Sequence, residues 1–226
     1  MTSGSFGKAI RRTEDLRLIT GQGSFTDDAG SEGLSLTMIR SPYANARVLS
    51  IDVSEAQQIE GVRAILTYED LPGRLAEPLP LLIPHPSLVA PRTQYILARE
   101  SVRYVGQSVV AIFATDRYVG EDAAERVIVE YEPRQPIVGL DAALGANLVH
   151  EDVPGNVAAD HSEHVGDVDR ALAGAPHVLE LELEMERSMG SSLEGRASHA
   201  TWDRHSRKLR IQNATQTPTS VRFALA

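Results

Sequence analysis

The strictest pattern in the chain is the run "VLELELEME", where Leu179, Leu181, Leu183 and Met185 alternate with Glu180, Glu182, Glu184 and Glu186. A two-residue period places the apolar set on one face and the acids on the other, so the run predicts a half-buried β-strand. The same period returns at Leu209 and Ile211 against Arg210 and Gln212, and "ATWDRHSRKLRIQNA" reads as a hairpin with its polar turn near Arg204 to Arg207. Thr217 and Pro218 then offer an N-cap and a first helical position, with Val221 and Leu225 four apart on one face;. Isolated helices are marginal below roughly 12–15 residues, so either this end frays or other protein covers it.

Earlier in the chain, "LSLTMIR" and "ARVLSIDV" read as strands separated by the turn "SPYANA";. Ser54 and Gln57 form a capping-box pattern ahead of a helix that Gly61 is placed to end, and "VRAILT" follows as a strand, which predicts a βαβ-like unit;. Residues 71–93 carry six prolines and little periodicity, the signature of an extended excursion. A second unit comes next: "QSVVAIFAT" as a buried strand, a helix opening at Asp116, and "VIVEYE" as a strand closed by Pro133. The expected sheet is mixed, with helices on one face. "EPRQPIVGLDAALGAN" reads as a linker, and Asp167 as the cap of the short helix "VDRALAGA".

Composition narrows the classes. With 226 residues, 42% of them hydrophobic, the chain can build one large domain or two modest ones;. A net charge of −9 argues against nucleic acid or an anionic membrane as the main partner;. No run approaches the roughly 20 apolar residues of a spanning helix. The opening "MTSGSFGKAIRRTED" lacks the apolar stretch of a signal peptide, so a cytoplasmic location is expected;. The absence of cysteine excludes disulfides, thiolate metal sites and iron–sulfur clusters ligated by this chain;. If electrons move, another chain carries them.

Local motifs point to little chemistry of their own. "GQGSFTDD" at Gly21 to Asp28 lacks a third glycine and a preceding strand, so it reads as a turn rather than a phosphate loop;. His161 and His164 have the spacing of metal ligands on a helix but stand in a polar stretch without helical periodicity, which favours a solvated loop;. The glutamates at 180 to 186 would repel one another around a cation and suit a wet face better. Arg11, Arg12 and Arg17 could bind an acidic partner, but arginines at the surface are ordinary. No Ser-His-Asp or HExxH arrangement stands out.

Several stretches taken in order resemble the N-terminal part of the large, molybdenum-binding subunit of the xanthine dehydrogenase, aldehyde oxidase and carbon monoxide dehydrogenase family. "RRTEDLRLITGQGSFTDD" is similar to the segment ahead of the family's α/β hammerhead domain. "MIRSPYANARVLSIDVSEAQQIEGVRAILTYEDLPG" and "VRYVGQSVVAIFATDRYVGEDAAERVIVEYEPRQPIV" resemble the two halves of that domain. "GDVDRALAGAPHVLELELEMER", "LEGRASHATWD" and "LRIQNATQTPTSVRFALA" resemble the start of the molybdopterin-binding domain. The resemblance implies an α+β fold, a hammerhead-type mixed sheet with helices packed on it and then the truncated start of a second α/β domain. The implied boundaries are an N-terminal extension over 1–19, the hammerhead domain over 20–135, a linker over 136–148 and the molybdopterin-binding domain from 149 to 226.

In the family, the segment like "ATQTP" lies at a strand end facing the molybdenum, and its glutamine approaches a ligand of the metal; Gln216 matches that position. An amide N–H aimed there would stabilise charge and hold the site in register. On the residues alone, Gln216 reads as a helix cap or a solvent-facing side chain. By resemblance the complete enzyme uses a molybdenum–molybdopterin cofactor, in a bacterial member the cytosine dinucleotide form, to oxidise an aldehyde or N-heterocycle with water as the oxygen source. Its partners would be an iron–sulfur subunit and an FAD subunit, with neither nucleic acid nor membrane involved.

The family's large subunit continues several times further, to a Gly-Gly-Gly-Phe-Gly-Gly loop, more pterin-binding segments and a catalytic glutamate, none of which occurs in these 226 residues. The expectation is a fragment or split subunit that holds no catalytic residue and no metal ligand, inactive without a complementary C-terminal chain. The alternative is a non-catalytic hammerhead scaffold or inactive remnant. Two departures stand out: Gly106, Gln107 and Ser108 replace the family's usual Gly-Glu-Pro, and Leu193 to Arg196 replace a frequent Met-Glu-x-Arg.

Overall fold

The computed structural model describes residues 6–28, 32–186 and 188–226. Met1 to Ser5 of the N-terminal extension therefore lie outside the described residues. Among those described, the helices are α1 (Asp15–Ile19), α2 (Arg117–Ala124), α3 (Leu140–Ala143), α4 (Val168–Gly174) and α5 (Pro218–Leu225). The strands are β1 (Ser35–Arg40), β2 (Ala46–Asp52), β3 (Val62–Leu66), β4 (Ser101–Val102), β5 (Ser108–Ala114), β6 (Ile128–Pro133), β7 (Ser198–Asp203) and β8 (Lys208–Asn213). They fall into two compact units, Gly33–Val178 and a second one that joins Met1–Glu32 to Leu179–Ala226.

In the larger unit, β5 is the central strand of a three-stranded sheet, between β1 and β3. Its sequence "SVVAIFA" has no polar alternation because both of its faces are covered: Val109, Val110, Ile112 and Ala114 are fully buried;. A second three-stranded sheet, in the order β4-β2-β6, gives Ala46 and Val102 to the same core. Helix α2 packs on β1 and β5. It starts where the Asp116 carboxylate accepts the N–H groups of Tyr118 at 2.9 Å and Val119 at 3.1 Å;. Its Gly120 lies so close to β1 that an added Cβ would stand 2.3 Å from Thr37 Oγ1.

The α+β class stands, and its sheet is corrected in one respect. Among the described residues every strand pair of the larger unit is antiparallel, in two separate sheets, where a mixed sheet was expected. The βαβ-like unit fails for a geometric reason. Parallel neighbours need a crossover of about a dozen residues or more, and the short connection from Asp52 to Val62 instead carries the chain from one sheet to the other. The helix expected after Ser54 is a single 3-10 turn, Ala56–Gln58, and the Ser54 N–H is taken by Asp52 Oδ1 at 2.9 Å. Gly61 is used all the same: its φ of +97° turns the chain into β3, and its carbonyl accepts the Thr115 N–H at 2.9 Å;.

Asn156, absent from the sequence-derived candidates, ties down the segment before it. Its carboxamide accepts the Val149 N–H at 2.7 Å and donates to the carbonyls of Ala143 at 2.7 Å and Asn147 at 2.8 Å. A φ of +56°, which asparagine tolerates better than most residues, is the signal that "PGN" carried;.

In the smaller unit the expected hairpin forms, β7 against β8 with Ala200 facing Ile211 and Trp202 facing Leu209. Asp203 closes its turn, accepting the Ser206 hydroxyl at 2.5 Å and the His205 N–H at 2.9 Å. The run "VLELELEME" does not become a strand: no ladder includes residues 178–186. Alternation sets which face a strand would bury, but a strand forms only where a neighbour takes its backbone groups.

Candidate functional site

Gln216 stands at a bend between the end of β8 and the start of α5. The approach to it is built from backbone. Beyond the hairpin ladder, the Ala214 N–H still reaches the Ala197 carbonyl at 3.2 Å. Thr215 Oγ1 then accepts the Thr217 N–H at 3.1 Å and tightens the bend around Gln216. Pro218 occupies the first position of α5, and the Val221 N–H bonded to the Thr217 carbonyl at 3.0 Å opens the helix. The Thr217 side chain makes no capping bond, contrary to the sequence reading. Gln216 does not cap the helix either. It is exposed, and its carboxamide has no hydrogen-bonding partner among the described residues.

Beside this bend lies an open groove of about 530 Å³. Leu209, Ile211, Val221 and Leu225 form its apolar wall, and Asn213 and Thr215 bring polar groups to the end nearer Gln216 in sequence. Val221 and Leu225 share one face of α5, as their spacing predicts, and that face borders the same groove as Leu209 and Ile211 of β8.

The remaining sequence candidates take structural or solvated positions. Gly21, with φ +72°, ends α1 in a Schellman turn in which the Gln22 N–H reaches the Arg17 carbonyl at 2.8 Å;. Further along the same loop, the Thr26 N–H is taken by Glu194 Oε1 at 2.8 Å, an internal carboxylate where a phosphate loop would leave its amides open. His161 and His164 are exposed, the first 3.9 Å from Glu163 and the second 3.2 Å from the Ser162 hydroxyl. Among the described residues, no group of three or more His, Asp or Glu is arranged to hold a metal ion. Arg12 and Arg17 pair with Asp15 and Glu14 on the surface of α1. The glutamates at 180 to 186 are exposed.

The first departure from the family pattern has a structural account. Gln107 is buried, and its Oε1 accepts the Arg103 N–H at 2.8 Å while its carbonyl accepts the Ser41 N–H at 2.8 Å. That turn, with Gly106 at φ +90°, therefore pins the β4–β5 connection to the end of β1. In the segment Leu193 to Arg196, the Glu194 carboxylate is held below the ordinary glutamate range by the hydrogen bonds from Thr26;. The sequence signalled neither the Ser41–Gln107 nor the Thr26–Glu194 bond, because each joins segments far apart in the chain.

A polar groove of about 610 Å³ in the larger unit was also not foreseen. Arg47, Arg103 and Arg134 line it together with Glu100, Glu151 and Asp152, so its charge is balanced. Nearby, His150 is held below the ordinary histidine range by partial burial and by Arg103 and Arg92. No helix among the described residues is long and apolar enough to cross a membrane.

Two antiparallel three-stranded sheets that share a core, followed in the chain by a strand hairpin and a helix with a glutamine at the bend between them, define an α+β protein. Residues 20–135 match the family model described as aldehyde oxidase and xanthine dehydrogenase, a/b hammerhead domain, and residues 149–226 match the molybdopterin cofactor-binding domain. The chain belongs to the aldehyde oxidase and xanthine dehydrogenase family. It is 38% identical to the 6-hydroxypseudooxynicotine dehydrogenase complex subunit gamma of Paenarthrobacter nicotinovorans, over 84% of this chain and 24% of that protein. It is 32% identical to the carbon monoxide dehydrogenase large chain of Afipia carboxidovorans, over 96% of this chain and 28% of that one. The crystal structure of quinoline 2-oxidoreductase from Pseudomonas putida 86 superposes with a TM-score of 0.83 at 31% identity, covering 99% of this chain and 28% of that chain. The chain thus spans about a quarter of the length of the relatives it matches.

Proposed function

We propose that this chain supplies the hammerhead domain and the opening segment of the molybdopterin-binding domain to a molybdenum hydroxylase that oxidises an aldehyde or N-heterocycle with water as the oxygen source. The observation that carries the reading is the collinear match of 20–135 and 149–226 to the two family models. The coverage of about a quarter of each relative supports a requirement for further protein. A complementary molybdenum-binding chain would supply the rest of the site, with iron–sulfur and FAD subunits carrying electrons onward. The names of the relatives, a subunit of a dehydrogenase complex and the large chain of an enzyme, support such an assembly.

Within that assembly Gln216 is the residue of this chain that suits contact with the cofactor. Its carboxamide is exposed at a strand end, has no partner among the described residues and can donate an N–H outward;. When bound, a molybdenum–molybdopterin group, in the cytosine dinucleotide form under this reading, would supply the two-electron redox chemistry. The chain's own part is to orient and to scaffold. The Thr215–Thr217 bond fixes the bend between β8 and α5, and the β5-centred core gives the hammerhead its packed interior;. One carboxamide does not hold a cofactor by itself, so no turnover is assigned to the isolated chain.

The test is to co-express the chain with a complementary C-terminal chain from the same host, purify the complex, and measure molybdenum and oxidation of aldehydes and N-heterocycles. Stoichiometric molybdenum with turnover is the expected result. A stable complex with no molybdenum would overturn the reading in favour of a scaffold.

A further inference from the structure

The polar groove of about 610 Å³ is walled by backbone that the larger unit fixes from within. Arg47 stands on β2, opposite Ser101 of β4. Arg134 follows β6, where its N–H bonds to the Asn45 carbonyl at 2.9 Å while Asn45 Nδ2 donates to the Gln135 carbonyl at 2.9 Å. Arg103 follows β4, and its Nε donates to the Val149 carbonyl at 3.0 Å. Asn156 in turn clamps Val149 and Asn147. All of these residues lie within Gly33–Val178.

By formal charge the lining is balanced, but its ion pairs are not. Asp152 and Glu100 are engaged by Arg92 and Arg99, neither of which lines the groove. Glu132, opposite Arg47 in the β2–β6 ladder, makes no ion pair with it. Among the described residues Arg47, Arg103 and Arg134 have no carboxylate partner, and Glu151 has no cation. The lining thus keeps three uncompensated guanidinium groups against one free carboxylate. A guanidinium fork matches the paired oxygens of a carboxylate or phosphate. An excess of positive charge in a concave site focuses its field on an anion. The volume falls within the range of about 300–1,000 Å³ that small-molecule sites occupy.

We propose that this groove binds a small organic dianion, a phosphate monoester or a dicarboxylate, between Arg47, Arg103 and Arg134. Two negative charges balance what the free arginines and Glu151 leave over. Glu151 opposes any further negative charge and accepts a hydroxyl from the body of the ligand. The site involves neither Gln216 nor the groove beside it, so it stands apart from the hydroxylase reading.

Calorimetric titration of the whole 226-residue chain near neutral pH is the test, with glycerol phosphate and malate as the dianions and acetate and glycerol as controls. Saturable binding of at least one dianion with a Kd below about 1 mM is the expected result, with the controls weaker by about tenfold or more. The tighter of the two dianions tells whether phosphate or carboxylate is the preferred group. Arg47→Gln and Arg134→Gln should each weaken binding about tenfold, as loss of a charge-assisted hydrogen bond does. Glu151→Gln should strengthen it, and Arg63→Gln in β3, outside the groove, should leave it unchanged. All four side chains are exposed, so the variants keep the fold, which an unchanged Tm verifies. Where a Tm falls, shifts of the Arg47 and Arg134 side-chain NMR signals of the unaltered chain on adding the dianion replace that variant. Failure of both dianions to bind, equal binding of acetate, or an equal loss in Arg63→Gln overturns the proposal.

Discussion

The carboxylate of Glu194 accepts the backbone N–H of Thr26 at 2.8 Å, fastening the turn Thr26–Asp28 near one end of the chain to the segment before β7 near the other. These hydrogen bonds hold the Glu194 carboxyl below its ordinary value of 4.5. A carboxyl whose folded pKa is depressed contributes stability that is present above the unfolded value and lost as pH falls through the folded one. The attachment of Thr26 should therefore be intact near neutrality and released at a pH below 4.5. Glu194→Gln should remove most of that acid sensitivity. Hydrogen exchange of the Thr26 amide against pH checks both statements, and an amide that exchanges alike at pH 7 and pH 3 would contradict them.

Gly120 in α2 leaves no room for a methyl group, with the added carbon 2.3 Å from Thr37 Oγ1 and 3.2 Å from Thr37 Cβ. Gly120→Ala gains about 1 kcal/mol of helix propensity. It also overpacks the contact with β1, at a cost of about 1–3 kcal/mol. Thermal unfolding should show a lower Tm, even though alanine is the better helix former. A higher Tm would mean that α2 shifts on the sheet freely.

Asp116→Ala removes the acceptor for the N–H groups of Tyr118 and Val119. The expected loss is about 1 kcal/mol, with Asp116→Asn retaining most of the stability. Denaturant unfolding of the three proteins measures it.

Gln216→Ala should leave the isolated chain within about 0.5 kcal/mol of its original stability, because the side chain is exposed and has no partner among the described residues;. In the assembled enzyme proposed above, loss of a donor aimed at developing charge should lower turnover by about a hundredfold. Wild-type turnover in a molybdenum-loaded Gln216→Ala complex would remove this residue from the site.

The sequence by itself determined most local structure. The β5 run, the strands β1 to β3, the Asp116 and Asp167 caps, the β7–β8 hairpin and the proline-set start of α5 all lie where pattern and capping chemistry put them. These features depend on neighbours a few residues apart, and a linear reading contains those. Collinear resemblance supplied the family and singled out Gln216, which residue chemistry alone reads as a surface side chain.

Tertiary structure decided the rest. Strand pairing is non-local, so the sequence did not show that β2 and β3 enter different sheets or that all ladders are antiparallel. The bonds from Glu194 to Thr26, from Asn156 to the segment before it and from Ser41 to Gln107 follow from where distant backbone groups arrive. The run at 179–186 marks the boundary between the two kinds of knowledge. Its alternation fixes which residues share a face, but a strand also needs a second backbone, and no pattern within one segment supplies that.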